Sequence, residues 1–233
     1  MAAFPLMLPG TSRPPKLVVF DLDHTLIACD ATILWTEFLY EKKIVTDPIW
    51  RQYDRDMVKS YAKGVLDIRD FCRKHAGAFR SIPEEKLHAL AQEFAKKKIA
   101  PLIFPDGKKW VKNALQANIP ACVLSASAAF IVKPIAKLFG LTDAMGIELA
   151  FKDGFCTGEI VGIPTFQEGK VERLSQRLTE AGIGFEDVLF FTDSRNDLPL
   201  AERAGYTVCV NPDAVLELSL IHISEPTRHA QIS

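Results

Sequence analysis

Leu17-Val18-Val19-Phe20-Asp21-Leu22-Asp23-His24-Thr25-Leu26 is the stretch on which the reading of this chain turns. Four apolar residues with no polar break run into two carboxylates. A short β-rich run of this kind has the composition of a strand buried on both faces of a parallel sheet, and such strands end where ligands bind, at their carboxyl edge. Asp21 and Asp23 are therefore expected at the active edge of a sheet. Two acids one residue apart, with the Thr25 hydroxyl two positions further on, offer oxygens for a hard cation and a nucleophile beside a proton donor. These are the parts that phosphoryl transfer requires.

Downstream of this strand the periodicity is helical. Ile33, Leu34, Phe38 and Leu39 share one face, Asp47-Pro48 is a helix start, and helical patterns continue through Tyr61 and through Ile68 to His75. Ser81 with Glu84 three residues later has the form of a capping box. Residues 31–100 thus read as an all-helical insert, a cap. From Asp106 the pattern alternates: helix 108–116, strand 120–124, helix 128–139, short strands at 147–151 and 157–160, helix 167–180, strand 188–191, helix 198–204 and strand 207–210. Lys152-Asp153-Gly154 is a hairpin turn between the two short strands. Alternation of this kind predicts an α/β fold, a Rossmann-like doubly wound parallel sheet of residues 16–30 and 101–217 with the helical cap inserted.

The chain has 233 residues, 48% hydrophobic and 24% charged, with a net charge of −1, which suits one compact unit with a modest insertion. A near-neutral chain without a basic stripe argues against nucleic acid as a partner; Lys96-Lys97-Lys98 is read as a solvated helix face. No apolar stretch approaches the roughly 20 residues of a membrane-spanning helix, so no membrane is expected. The five scattered cysteines show no metal-like spacing and read as reduced thiols in a cytoplasmic protein. Residues 1–15, broken by Pro5, Pro9, Pro14 and Pro15, read as a loose leader rather than a signal peptide. Residues 218–233 are set apart, because Leu218-Ser219-Leu220-Ile221-His222-Ile223-Ser224-Glu225-Pro226-Thr227-Arg228 resembles the in-frame translation of a sequencing adapter, and this tail is expected to be non-native.

Three further stations repeat the logic of the first. Val123-Leu124 runs into Ser125-Ala126-Ser127, Phe190-Phe191-Thr192 runs into Asp193-Ser194-Arg195-Asn196-Asp197, and Gly169-Lys170 opens a helix. Taken together, in this order, the four stations resemble the haloacid dehalogenase superfamily, in its phosphoserine-phosphatase-like branch: DxDxT, a Ser or Thr after a strand, a Lys, then DxxxD. The likeness covers about residues 16–212, and the helical insert falls where that branch carries its cap.

The resemblance implies a Mg²⁺-dependent phosphatase acting on a small phosphorylated metabolite. Asp21 would be the nucleophile that forms an aspartyl-phosphate, and Asp23 the proton donor and then base, its backbone carbonyl facing the metal. Asp193 would hold Mg²⁺ with Asp21, and Asp197 would act from behind, on metal-bound water or on Lys170; as the residue before Leu198 it also fits a helix cap. Lys170 and Ser125 would hold the phosphoryl oxygens. Ser127 is the rival to Ser125, which is preferred for its place directly after the apolar strand. Asn196 occupies the position of a phosphate or substrate contact, Thr25 braces the first loop, and His24 is the variable position of DxDxT, facing solvent. Asp30 falls where the phosphoserine enzymes carry an amino-binding Glu, and Arg73 aligns with their carboxylate-binding Arg or else belongs to a solvated helix face. Trp35, Phe38 and Phe71 line the cap's inner surface or pack its core. The substrate expected is of the phosphoserine or histidinol-phosphate type. The alternatives are phosphoryl transfer to an alcohol, which product analysis with an added acceptor separates from hydrolysis, and a non-catalytic phospho-ligand sensor, which has no use for a nucleophile and a proton shuttle.

Overall fold

The computed structural model describes residues 8, 13–210, 216 and 229–232. Most of the expected leader and residues 218–228 and 233 of the expected tail lie outside them. Leu8 is buried against the main core, and its amide donates to the Arg13 carbonyl.

The apolar runs form a parallel sheet. β1 (Leu17–Phe20), β2 (Ala121–Ala128), β3 (Ala144–Ile147), β6 (Val188–Thr192), β7 (Tyr206–Val210) and β8 (His229–Ile232) are ordered β3-β2-β1-β6-β7-β8, every neighbouring pair parallel. β4 (Leu149–Lys152) and β5 (Phe155–Ile160) form a separate antiparallel hairpin whose turn has Asp153 and Gly154 at positive φ. β1 lies in the middle, with β2 on one side and β6 on the other, so the strand order reverses beside its carboxyl end. That is the topological switch point of a doubly wound sheet.

Alternation along β1 feeds two cores. Val18 and Phe20 join one with Phe191, Trp110 and Val111, whereas Leu17 and Val19 join the other with Phe190, Val171, Leu174 and Leu200. Helices α5 (Pro105–Gln116) and α6 (Ala129–Leu138) supply the first face, and α7 (Glu168–Ala181) and α8 (Leu198–Arg203) the second. The Rossmann-like doubly wound fold expected from the alternating pattern is the fold observed. β2 is longer than the expected 120–124: Ser125-Ala126-Ser127 continue as extended chain, small enough to follow the sheet past a register shift to the pairing of Ala128 with Ile147.

Between β1 and α5 the chain is helical: α1 (Ala31–Glu41), α2 (Ile49–Ala62), α3 (Ile68–His75) and α4 (Glu84–Phe94), continued by tighter and wider turns to Leu102. Asp30, Asp47 and Asp67 cap the first three, their carboxylates accepting from the amides of Ile33, Ile49 and Arg69. The expected capping box does not form. Ser81 lies outside α4, which starts after Pro83, and the Glu84 amide donates instead to the Gly154 carbonyl in the hairpin turn. Trp35, fully buried, joins the helices to the core through ring contacts with Phe38, Phe94 and Phe130.

A buried polar cluster ties α1, α2 and α3 together. His75 Nε2 lies 2.9 Å from Thr36 Oγ1 and 3.6 Å from Asp54 Oδ1, and all three residues are buried. Burial pushes Asp54 up to about 7 and His75 down to about 4, so the proton resides on the acid and the pair is neutral between these values. The folded pKa of Asp54 lies above its ordinary 3.8, so its contribution to stability is present at low pH and lost as pH rises through about 7. His75 opposes this only below its ordinary 6.5. Asp54→Asn, neutral at every pH, should therefore gain on the wild type in Tm by about 3 °C or more between pH 6 and pH 8.5. A pH-independent Tm difference in thermal melts would refute this charge assignment.

Candidate active site

The carboxyl ends of β1, β2 and β6, with the first turns of α1 and α7, bring the four stations together. Asp21 continues β1, its amide donating to the Phe191 carbonyl, so its side chain is set by the sheet. The loop after it closes on the Leu22 carbonyl, which accepts from the amides of Thr25 at 3.3 Å and Leu26 at 2.9 Å. His24 takes φ 54° within this loop and is exposed, as expected, while Thr25 Oγ1 donates to Asp193 Oδ1 at 3.3 Å, a brace between the first station and the fourth.

Lys170 is 1% exposed, and its Nζ lies 2.7 Å from Asp21 Oδ1 and 2.7 Å from Asp197 Oδ2. Thr192 Oγ1 donates to the same Asp197 oxygen at 2.8 Å. Burial alone would lower the lysine pKa, but Asp197 and Asp21 hold it above its ordinary value, so the ammonium is permanent. Burial raises Asp21 to about 6, against the pull of Lys170 and with the push of Asp197. Asp23 and Asp193 are both held well above the usual carboxylate range, by burial first and then by neighbouring acids, Asp30 and Asp21 for the one and Asp21 and Asp197 for the other. This edge is short of positive charge.

Asp23 accepts from the Ala31 amide at 2.7 Å, from Ser127 Oγ at 3.0 Å and from Ser125 Oγ at 3.4 Å. Its carboxyl is thus anchored beside Asp21 at the start of α1. A cavity of about 180 Å³ opens above these groups, walled by Asp21, Asp23, Asp30, Ser127 and Asp193 on one side and by Ile33, Met57, Tyr61 and Phe71 on the other.

Three expectations need correction. Ser125 is completely buried and does not reach the cavity wall, since the strand runs on past it and presents Ser127 there instead; Ser125 Oγ accepts the Ser127 amide at 3.1 Å and supports that residue from behind. Asn196 is also buried, its amide donating to the Tyr61 carbonyl at 3.1 Å and its Oδ1 accepting from Gln167, so it bridges to α2 and does not face the cavity. Arg73 is exposed and off the cavity wall. On α3 the residues on the cavity wall are Ile68 and Phe71, and Arg73, two positions on from Phe71, points to solvent.

Asp30 does reach the wall, although its carboxylate also caps α1. Trp35 and Phe38 belong to the packed core, and Phe71 lines the cavity. Gln167 and the Thr36–Asp54–His75 cluster carried no signal in the sequence, because single polar residues on helix faces look like solvated ones.

Among the described residues no three His, Cys, Asp or Glu side chains converge as a closed metal cage. Asp21 and Asp193 at the wall do fit an ion that takes one or two carboxylates and fills the rest of its shell with water and phosphate, and the raised carboxyl pKa values are the mark of an edge that a cation would relieve. Among the described residues no helix is long and apolar enough to cross a membrane.

The family model described as "haloacid dehalogenase-like hydrolase" matches residues 18–202. The chain is 35% identical over 206 residues to the histidinol-phosphatase of Neisseria meningitidis serogroup C (strain 8013), covering 87% of this chain and 93% of that one. A structure of a protein of unknown function from Bordetella pertussis Tohama I superposes with a TM-score of 0.80 at 30% identity, covering 89% of this chain and 96% of that one. A substrate-bound phosphoserine phosphatase complex shares the fold at a TM-score of 0.67 and 22% identity, covering 89% and 91% of the two chains. With the motifs assembled at one sheet edge and likeness extending over most of its length, this chain belongs to the haloacid dehalogenase-like hydrolases, as a phosphatase of their phosphoserine-phosphatase-like branch.

Proposed function

We propose that the protein is a Mg²⁺-dependent phosphomonoesterase that works through an aspartyl-phosphate on Asp21, and that its substrate is a small amine-bearing phosphate ester of the histidinol-phosphate type. The observation that carries the mechanism is Lys170 held between Asp21 and Asp197 beside a second, protonatable acid, Asp23.

Lys170 occupies one oxygen of Asp21 and orients the other toward the phosphorus. Attack by that oxygen forms the Asp21–phosphorus bond and breaks the ester bond, the leaving oxygen taking a proton from Asp23. Water then attacks the phosphorus, gives its proton to Asp23 and releases inorganic phosphate, restoring both carboxyls. Splitting the reaction in this way replaces direct water attack on a phosphate dianion, among the slowest uncatalysed reactions known, with two in-line displacements. Ser127 and Lys170 hold the phosphoryl oxygens. Asp21 and Asp193 would hold Mg²⁺, which when bound neutralises charge developing on the phosphoryl group, and Asp197 fixes Lys170 from behind. The helices above the cavity act as a cap that excludes water.

The choice of substrate rests on the wall. It carries Asp30 and, apart from the His24 imidazole, no basic side chain, so a cationic amine finds a carboxylate there and a substrate carboxylate finds no Lys or Arg. Ile33, Met57 and Phe71 add an apolar, aromatic surface suited to a flat ring. The histidinol-phosphatase relative supports this reading, and the exposed position of Arg73 speaks against phosphoserine.

Asp21→Asn should lower kcat with p-nitrophenyl phosphate by at least about 10⁴-fold while the thermal melt is retained; residual turnover near wild type would sink the mechanism. Chelation by EDTA should abolish turnover and added Mg²⁺ should restore it, full activity without metal being the contrary result. Asp30→Asn, which keeps the helix cap, should raise KM for histidinol phosphate about tenfold or more, with a much smaller change for p-nitrophenyl phosphate. Equal effects on both esters would remove Asp30 from amine recognition.

A further inference from the structure

Gln167 takes φ 50° and ψ −125°, a conformation that is unfavourable for any residue with a Cβ and persists only where its surroundings enforce it. It lies three residues before Lys170, at the entry to α7. Its side-chain amide donates to the Gly64 carbonyl and to Asn196 Oδ1, both at 3.2 Å. Asn196, one residue before Asp197, donates in turn to the Tyr61 carbonyl at 3.1 Å. Two carboxamides from the catalytic edge thus reach across to two carbonyls at the place where α2 ends and turns toward α3.

That turn covers the cavity. Tyr61, Ala62 and Leu66 form part of its wall, and the Tyr61 ring packs on Phe166, the neighbour of Gln167. Apolar packing holds α2 only thinly: in its 14 residues only Asp54 and Met57 are buried, while Val58 and, just beyond the helix, Val65 are exposed. A segment with so little buried surface opens at low cost, and the few hydrogen bonds that cross to the core then decide whether it is shut. The bonds from Gln167 and Asn196 cross at that point.

We propose that Gln167 and Asn196 are positioning residues that form a latch, holding the α2–α3 turn closed over the cavity, and that its release admits substrate and lets phosphate leave. The kinetic part of this inference rests on the phosphatase reading; the structural part does not.

The test uses the full chain and has two arms. In hydrogen exchange without substrate, Gln167→Ala should speed exchange of amides 58–67 about tenfold, the loss of one or two hydrogen bonds, with β1 and α7 unchanged. Gln167→Gly, which removes the amide and also relieves the backbone, should do the same without loss of Tm. Gln167→Glu, the same shape but with an oxygen facing two acceptors, should fail to restore protection. With p-nitrophenyl phosphate the Ala and Gly variants should show KM raised about tenfold at a kcat equal to or above wild type, since an open turn lowers the population competent to bind but not the chemistry. Asn196→Ala combined with Gln167→Ala should cost less than the sum of the two single changes. Unchanged exchange in 58–67, or a fall in kcat at constant KM, overturns the latch and makes Gln167 a support for Lys170 alone. If the wild type turns over no phosphate ester, the phosphatase reading fails and the exchange arm still decides the latch.

Discussion

The buried ammonium of Lys170 between Asp21 and Asp197 is the interaction on which the rest of the structure depends. Three charged groups sit in a region with almost no solvent, each costly to desolvate, and the two acids are tolerable only because the ammonium lies 2.7 Å from each. The arrangement requires three distant parts of the chain to arrive at one point. Asp21 comes from the end of the central strand, Asp197 from the turn after its neighbour β6, and Lys170 from the first turn of the helix between the hairpin and β6. The doubly wound topology places these three ends together beside the reversal of strand order, so the fold and the ion cluster specify each other.

The cluster is also unbalanced. Four carboxyls, Asp21, Asp23, Asp193 and Asp197, share this edge with one buried ammonium, and burial together with neighbouring acids pushes Asp21, Asp23 and Asp193 up. Burial and the neighbouring Asp30 and Asp21 push Asp23 well up, which suits the proton-donor role proposed for it, and Asp21 and Asp193 would be the carboxylates that a divalent cation relieves. The proposed general acid and the proposed metal site would thus both answer one electrostatic deficit. Neither needs a special residue type, only several acids placed where strands end.

Much of this was legible in the sequence because the stations share a local signature, an apolar strand that stops at a polar group. Asp21, Asp23, Asp193 and Asp197 were found in that way, and Lys170 by its place at a helix start in the order of the family's motifs. Ser127 was passed over for Ser125 because Ser-Ala-Ser has no apolar marker to show that the strand continues, and two more residues of extended chain bring the second hydroxyl to the wall. The Ser81 capping pattern misled because a tertiary acceptor, the Gly154 carbonyl, took the amide that a local cap would have served. Asn196 and the Thr36–Asp54–His75 cluster could not be read, since what a polar residue on a turn or helix face bonds to is decided by the element packed over it.

The proposed substrate class rests on the same charge distribution carried up the wall. An amino acid ester would bring both an amine and a carboxylate into a cavity walled by Asp21, Asp23, Asp30 and Asp193, with His24 beside them and no Lys or Arg. Its carboxylate would be desolvated without a Lys or Arg partner, and it would add negative charge next to Asp30, Asp23 and Asp193, whose carboxyls burial already pushes up and, at Asp23 and Asp193, neighbouring acids push further. An amine without a carboxylate has the opposite effect, since it neutralises Asp30 and so eases the load on Asp23. Moving Arg73 to the outside of α3 is thus more than the loss of one contact. With no arginine or lysine on the wall, its acids would oppose an acidic substrate, and the apolar face of Ile33, Met57 and Phe71 would be left to fit the amine-bearing ester proposed above.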